Sequence, residues 1–74
     1  MVAFDISLKS TEDVKTFVGL MCKYDFDVDL ISGRYVIDAK SIMGIFSLDL
    51  SKPVRLEAHT DDEKIKEDMK SFTV

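Results

Sequence analysis

The sequence has little of what staples, loads or anchors a small protein. It holds one cysteine, which excludes an internal disulfide framework and a zinc site built from several thiolates. With no partner thiol and no stretch resembling a secretory leader, a reducing cytoplasm is the default compartment. Positive charge is scarce: 10 basic residues stand against 14 acidic ones, for a net charge of −4. A nucleic-acid binder needs a basic stripe to neutralise phosphates, so that class is excluded. Docking on an anionic membrane surface is excluded for the same reason. Apolar runs are only a few residues long, too short to span a bilayer. Repeats, linkers and low-complexity segments are absent. What remains is 74 residues, 46% of them hydrophobic, enough for one small globular domain over residues 1–74 and too many for a disordered chain.

The periodicity places the elements. Val2, Phe4, Ile6 and Leu8 alternate with smaller or polar residues, as in a half-buried strand. Ser10 stands as a helix cap with Asp13 three residues on, a weaker relative of the capping box. Val14, Phe17, Val18 and Met21 then mark the buried face of a helix from Thr11 to about Tyr24. Phe26, Val28 and Leu30 make a second strand. Ser32-Gly33 reads as a two-residue turn, and Arg34 to Ala39 as the strand returning from it. Ser41 caps a short second helix, Ile42 to about Leu48. Pro53 cannot donate to a ladder and marks the start of a strand carrying Val54, Leu56 and Ala58. Thr60-Asp61-Asp62-Glu63 reads as a capping box opening a third helix, with Ile65, Met69 and Phe72 on its core face. The order is β-α-β-β-α-β-α, which predicts an α+β two-layer open sandwich. Two common architectures suit this order, one of them ferredoxin-like, and spacing does not choose between them.

The stretch Asp38-Ala39-Lys40-Ser41-Ile42-Met43-Gly44-Ile45-Phe46-Ser47-Leu48 does choose. It resembles the entry to the second helix of HPr-family proteins, the phosphocarriers of the sugar phosphotransferase system. Their pattern is a lysine and serine, then Ile-Met-Gly, then two apolar residues and Ser-Leu. The order of elements is similar along essentially the whole chain. The resemblance implies a four-stranded antiparallel sheet, order 1-4-2-3, with three helices on one face.

The chain departs from the family where the family's chemistry lies. HPr proteins carry a phosphoryl group on a histidine between the first strand and first helix, in a Gly-Leu-His-x-Arg-Pro-like motif. Here Leu8-Lys9-Ser10-Thr11-Glu12-Asp13 occupies that region. By the resemblance, Ser10 stands at the position of the lost carrier histidine and Glu12 at that of the arginine. A phosphohistidine site needs an imidazole, a helix N-terminus and a cation for the phosphoryl oxygens. The imidazole is missing; the helix N-terminus is there, but Glu12 and Asp13 repel phosphate.

The only histidine, His59, reads as a surface residue at the end of the fourth strand, neither carrier nor metal ligand. Cys22 reads as a small, buried or half-buried apolar residue. Ser41 matches a serine that a dedicated ATP-dependent kinase phosphorylates in Gram-positive relatives, so the resemblance makes it the candidate regulatory site. At about 100° per residue, Ile45 and Leu48 share one face of the second helix, while Ile42, Met43 and Phe46 cluster on roughly the opposite one. The latter three are expected to be exposed. With Lys40, they are the candidate surface for docking partner proteins, a role the resemblance gives this helix together with the start of the first.

These residues predict a regulatory or interaction module of the HPr type: not an enzyme, without cofactor or metal, and without histidine phosphocarrier activity. Its partners would be phosphotransferase-system enzymes, a serine kinase or a regulator. Two alternatives stand beside it. One is a divergent phosphocarrier using an unusual acceptor. The other is a structural domain that forms a homodimer through its apolar helix.

Overall fold

A computed structural model describes residues 1–74. Four strands, β1 (Val2–Ile6), β2 (Val28–Ser32), β3 (Tyr35–Asp38) and β4 (Val54–Ala58), form one antiparallel sheet in the order β1-β4-β2-β3. Three helices, α1 (Thr11–Met21), α2 (Ile42–Phe46) and α3 (Lys64–Asp68), complete the α+β sandwich. This is the predicted architecture, strand order included.

Alternation decides which sheet face is covered. Register sets Phe4 beside Leu56, Leu56 beside Leu30 and Leu30 beside Ile37. These side chains share the helix-facing side with the buried Val2, Ile6, Val28, Val54 and Ala58. The helices close the core with Val14, Phe17, Met21, Ile45, Ile65 and Met69, all at most 1% exposed. Phe17 meets Phe72 edge-on, ring centres 6.0 Å apart, the arrangement that aromatic quadrupoles favour. No polar side chain is buried, so apolar burial carries the stability of this small domain.

Several boundaries differ from the sequence expectation, each for a local reason. Helix α1 stops at Met21 rather than Tyr24. Its end tightens into three-residue bonds, Lys23 N–H to Leu20 and Tyr24 N–H to Met21. Tyr24 then leaves the helix to stack on Phe26, centroids 4.8 Å apart. Cys22 therefore caps the helix and is exposed, against the buried or half-buried reading. The hairpin turn is Gly33-Arg34, not Ser32-Gly33, because Ser32 pairs with Tyr35. Gly33 has φ 59° and no other residue has positive φ, the sign pattern of a type II′ turn.

The third helix opens at Lys64, three residues later than the Thr60 capping box implies. The Thr60 hydroxyl accepts from Asp62 N–H, and Asp62 accepts from Lys64 N–H. These local turns compete successfully with helix formation. Glu63, expected as the box's return partner, makes no cap bond. It pairs instead with Lys66 at 3.1 Å.

The Tyr24 hydroxyl donates to the Asp68 carboxylate, tying the end of α1 to α3. Burial first, and then this hydrogen bond, raise the phenol well above its ordinary value of 10.0. The native state thus favours the protonated phenol. That stability is complete below the unfolded value and is lost as pH rises beyond it. Between about pH 10 and pH 12 the denaturation free energy should fall with pH, and Tyr24→Phe should flatten that slope. A slope unchanged in Tyr24→Phe would show that this contact contributes nothing.

Candidate functional site

The start of α1, the end of α2 and one loop converge at one end of the sandwich. Ser10 caps α1 and its hydroxyl accepts from Asp13 N–H at 3.1 Å. The Asp13 carboxylate reaches back to Lys9 N–H at 3.0 Å. This is a reciprocal cap, displaced by one residue from the capping box. It satisfies amides that an incoming phosphoryl group would otherwise use. Glu12 and Asp13 both lie in the first turn, adding negative charge where a phosphorylated side chain would need the opposite.

Helix α2 packs against α1, and Phe46 comes to the rim of the same hollow as Ser10. Leu8, Lys9, Thr11, Leu50 and Ser51 complete that rim. Ser10 and Phe46, far apart in sequence, thus share one surface. Leu50 and Ser51 carried no signal beyond lying in the loop before Pro53. That loop is set by Asp49, whose carboxylate accepts from both the Ser51 N–H and hydroxyl. Those bonds hold the Asp49 carboxyl below its ordinary value.

Ser41 caps α2, its hydroxyl accepting from Gly44 N–H at 3.3 Å, and it remains exposed. Gly44 explains how closely this helix approaches the sheet. A Cβ there would lie 2.6 Å from Ile37 Cγ2, so any side chain would push α2 off β3.

The face assignment within α2 is right for four residues. Ile45 and Leu48 are buried, whereas Met43 is 77% exposed and Phe46 42%. Ile42 departs from it. It is half-buried and packs against the core. Three residues before Ile45, it lies only about 60° around the helix from it, on the flank of the buried face. The exposed apolar patch is therefore Met43 and Phe46. Lys40 is also committed elsewhere. Its ammonium donates to the Tyr24 carbonyl at 2.9 Å, satisfying a backbone acceptor beyond the end of α1. That bond gives Lys40 a structural task.

His59 follows β4 at the end away from this hollow. Register pairs Ile6, which leads to the hollow, with Val54, and Val2 with Ala58. At about 3.3 Å per residue, His59 lies roughly 16 Å along the strand from Val54. Its Nε2 is 3.0 Å from an Asp29 carboxylate oxygen. No group of three or more histidine, cysteine or acidic side chains is placed to hold a metal ion. No helix is long and apolar enough to cross a membrane.

Comparison with known proteins agrees with this geometry. The family model described as "PTS HPr component phosphorylation site" matches residues 12–73. The matched range begins at Glu12, after Ser10. A crystal structure of HPr-C-His from Thermoanaerobacter tengcongensis is similar, with a TM-score of 0.71 and 30% sequence identity. The match covers 90% of this chain and 81% of that one. No curated protein sequence matches significantly. The family model spans most of the chain and the solved relative shares its architecture, so the chain belongs to the HPr family, the phosphocarrier-type proteins of the phosphotransferase system.

Proposed function

We propose that this chain is an HPr-family interaction module that binds partner proteins without carrying a phosphoryl group on histidine. The observation that carries the proposal is the start of α1. Ser10 and Asp13 close it on themselves, and the single imidazole, at His59, is at the other end of β4. Met43 and Phe46 form the docking patch beside the Ser10 hollow. A flexible thioether and a half-exposed ring suit such a surface. The partner would be a protein of the phosphotransferase system, the class this family interacts with, or a regulator that reads the same face. Ser41 would be the switch. Phosphorylation there adds three acceptor oxygens and about −1.5 to −2 of charge beside the patch, enough to change which partners dock. A cytoplasmic setting fits such partners.

The docking claim is testable by calorimetric titration with the system's first enzyme. Met43→Glu and Phe46→Glu should each weaken binding at least tenfold, as expected for loss of a central apolar anchor. Unchanged affinity in both variants would remove α2 from the interface. A second reading, the divergent phosphocarrier, is favoured by the family model's description as a phosphorylation site. It would require Ser10 to act as acceptor with no imidazole beside it, Lys9 being the one cation that lines the same hollow.

A further inference from the structure

The sheet has two edges, and only one is covered. Along β1, Phe72 to Val74 run as a partial fifth strand. Ser7 N–H donates to Phe72, Ile6 bridges Thr73, and Val74 N–H donates to Asp5. Strand β3 has no such cover. Ala39 N–H donates to the Val28 carbonyl at 2.9 Å, which fixes the alternation of the ladder. Tyr35, Ile37 and Ala39 turn their backbone groups toward β2. Val36 and Asp38 turn theirs outward, and Arg34 precedes them in the hairpin turn.

Edges of this kind are usually blunted by proline, lysine or a bulge. Here Tyr35 is 67% exposed and Val36 63%, and no proline or lysine lies within β3. The charges around Val36 are arranged in opposition. Arg34 is exposed and makes no ion pair within the chain. Asp38 lies across β2 from Asp29, and Asp29 lies across β4 from Glu57. Three carboxylates therefore stand abreast on the open face; Glu57 is paired with Arg55 and Asp29 with His59, each at 3.0 Å, so Asp38, at the β3 edge, is the one with no basic side chain beside it. One Asp38 oxygen accepts from Lys40 N–H, leaving the other available.

We propose that β3 pairs antiparallel with β3 of a second copy of this chain, centred on Val36. This register sets Val36 against Val36 with their outward backbone groups bonded. It sets Arg34 of each copy against Asp38 of the other, on one face. Tyr35 of each copy lies against Ile37 of the other, on the helix side. The two arginines extend the carboxylate rows with opposite charge. A slip of two residues in either direction would set Arg34 or Asp38 against Val36, so charge selects the register. The contact is isologous and joins two sheets into one of eight strands. It is short, so the dimer is weak.

Sedimentation equilibrium up to about 1 mM tests this pairing, with Arg34→Glu, Asp38→Arg and an equimolar mixture of the two. Each variant alone sets like charges together and should weaken the dimer at least tenfold. The mixture restores opposite charges at both positions and should dimerise like the parent protein, a recovery that misfolded variants could not give. High salt should weaken the parent dimer. A parent chain that stays monomeric throughout overturns the proposal and leaves the edge to a strand of another protein. A dimer indifferent to both reversals but lost on Phe46→Glu also overturns it, assigning the contact to α2.

Discussion

Ile45→Glu should leave the domain unfolded at room temperature, while Met43→Glu should melt like the parent protein. The two positions are two residues apart on a five-residue helix, and the helix is amphipathic enough to separate them completely. Ile45 is fully buried and Met43 is 77% exposed. Removing the Ile45 side chain alone costs about 2–5 kcal/mol. Burying a carboxylate with no partner adds several kcal/mol more, by charge burial or by forced protonation. A 74-residue domain has only roughly 4–11 kcal/mol to lose. At Met43 the change is expected within about 0.5 kcal/mol, a shift in Tm of about 2–4 °C at most. Thermal melts of both variants check this. A cooperative, near-parental melt for Ile45→Glu would show that α2 presents the opposite face to the sheet.

How much of this was legible in the sequence depends on what decided each feature. Strand alternation and the Phe17 and Ile45 faces were readable because burial follows period directly. The Ser10 and Ser41 caps were readable because a hydroxyl before an apolar helix has few better partners than the free amides. The third helix was misplaced because Thr60 and Asp62 had a second choice, turns of their own. A capping box and a pair of turns look alike in sequence. Ile42 was misjudged because its flank position lets the neighbouring layer decide its exposure. Lys40 and Tyr24 are brought together only by the tertiary fold. The resemblance sets the start of α1 beside α2, but that Leu50 and Ser51 join Ser10 and Phe46 there follows only from the tertiary fold. Strand β3 was legible as a strand but not as an edge, since edge status follows from strand order. The family resemblance supplied that order, and the structure agrees.

The second large effect concerns the carrier chemistry. A phosphoryl group transferred to this protein would need a nucleophile at the start of α1. The candidate there is the Ser10 hydroxyl, which accepts a hydrogen bond from Asp13 N–H and has no histidine beside it to take its proton. Asp13, the carboxylate beside it in the cap, is bonded to Lys9 N–H. With Glu12 it would oppose the approach of a phosphate dianion. Histidine carriers meet the reverse conditions: a neutral imidazole as nucleophile and a cation to receive the charge.

The measurement that tests this most directly is intact-mass spectrometry after incubation with phosphoenolpyruvate and the system's first enzyme. A parallel incubation would contain ATP, magnesium and an HPr serine kinase. No added phosphate is expected in the first, and a single phosphate, mapped to Ser41, in the second. Stoichiometric phosphate from phosphoenolpyruvate, on Ser10 or on His59, would contradict it and make this chain a carrier.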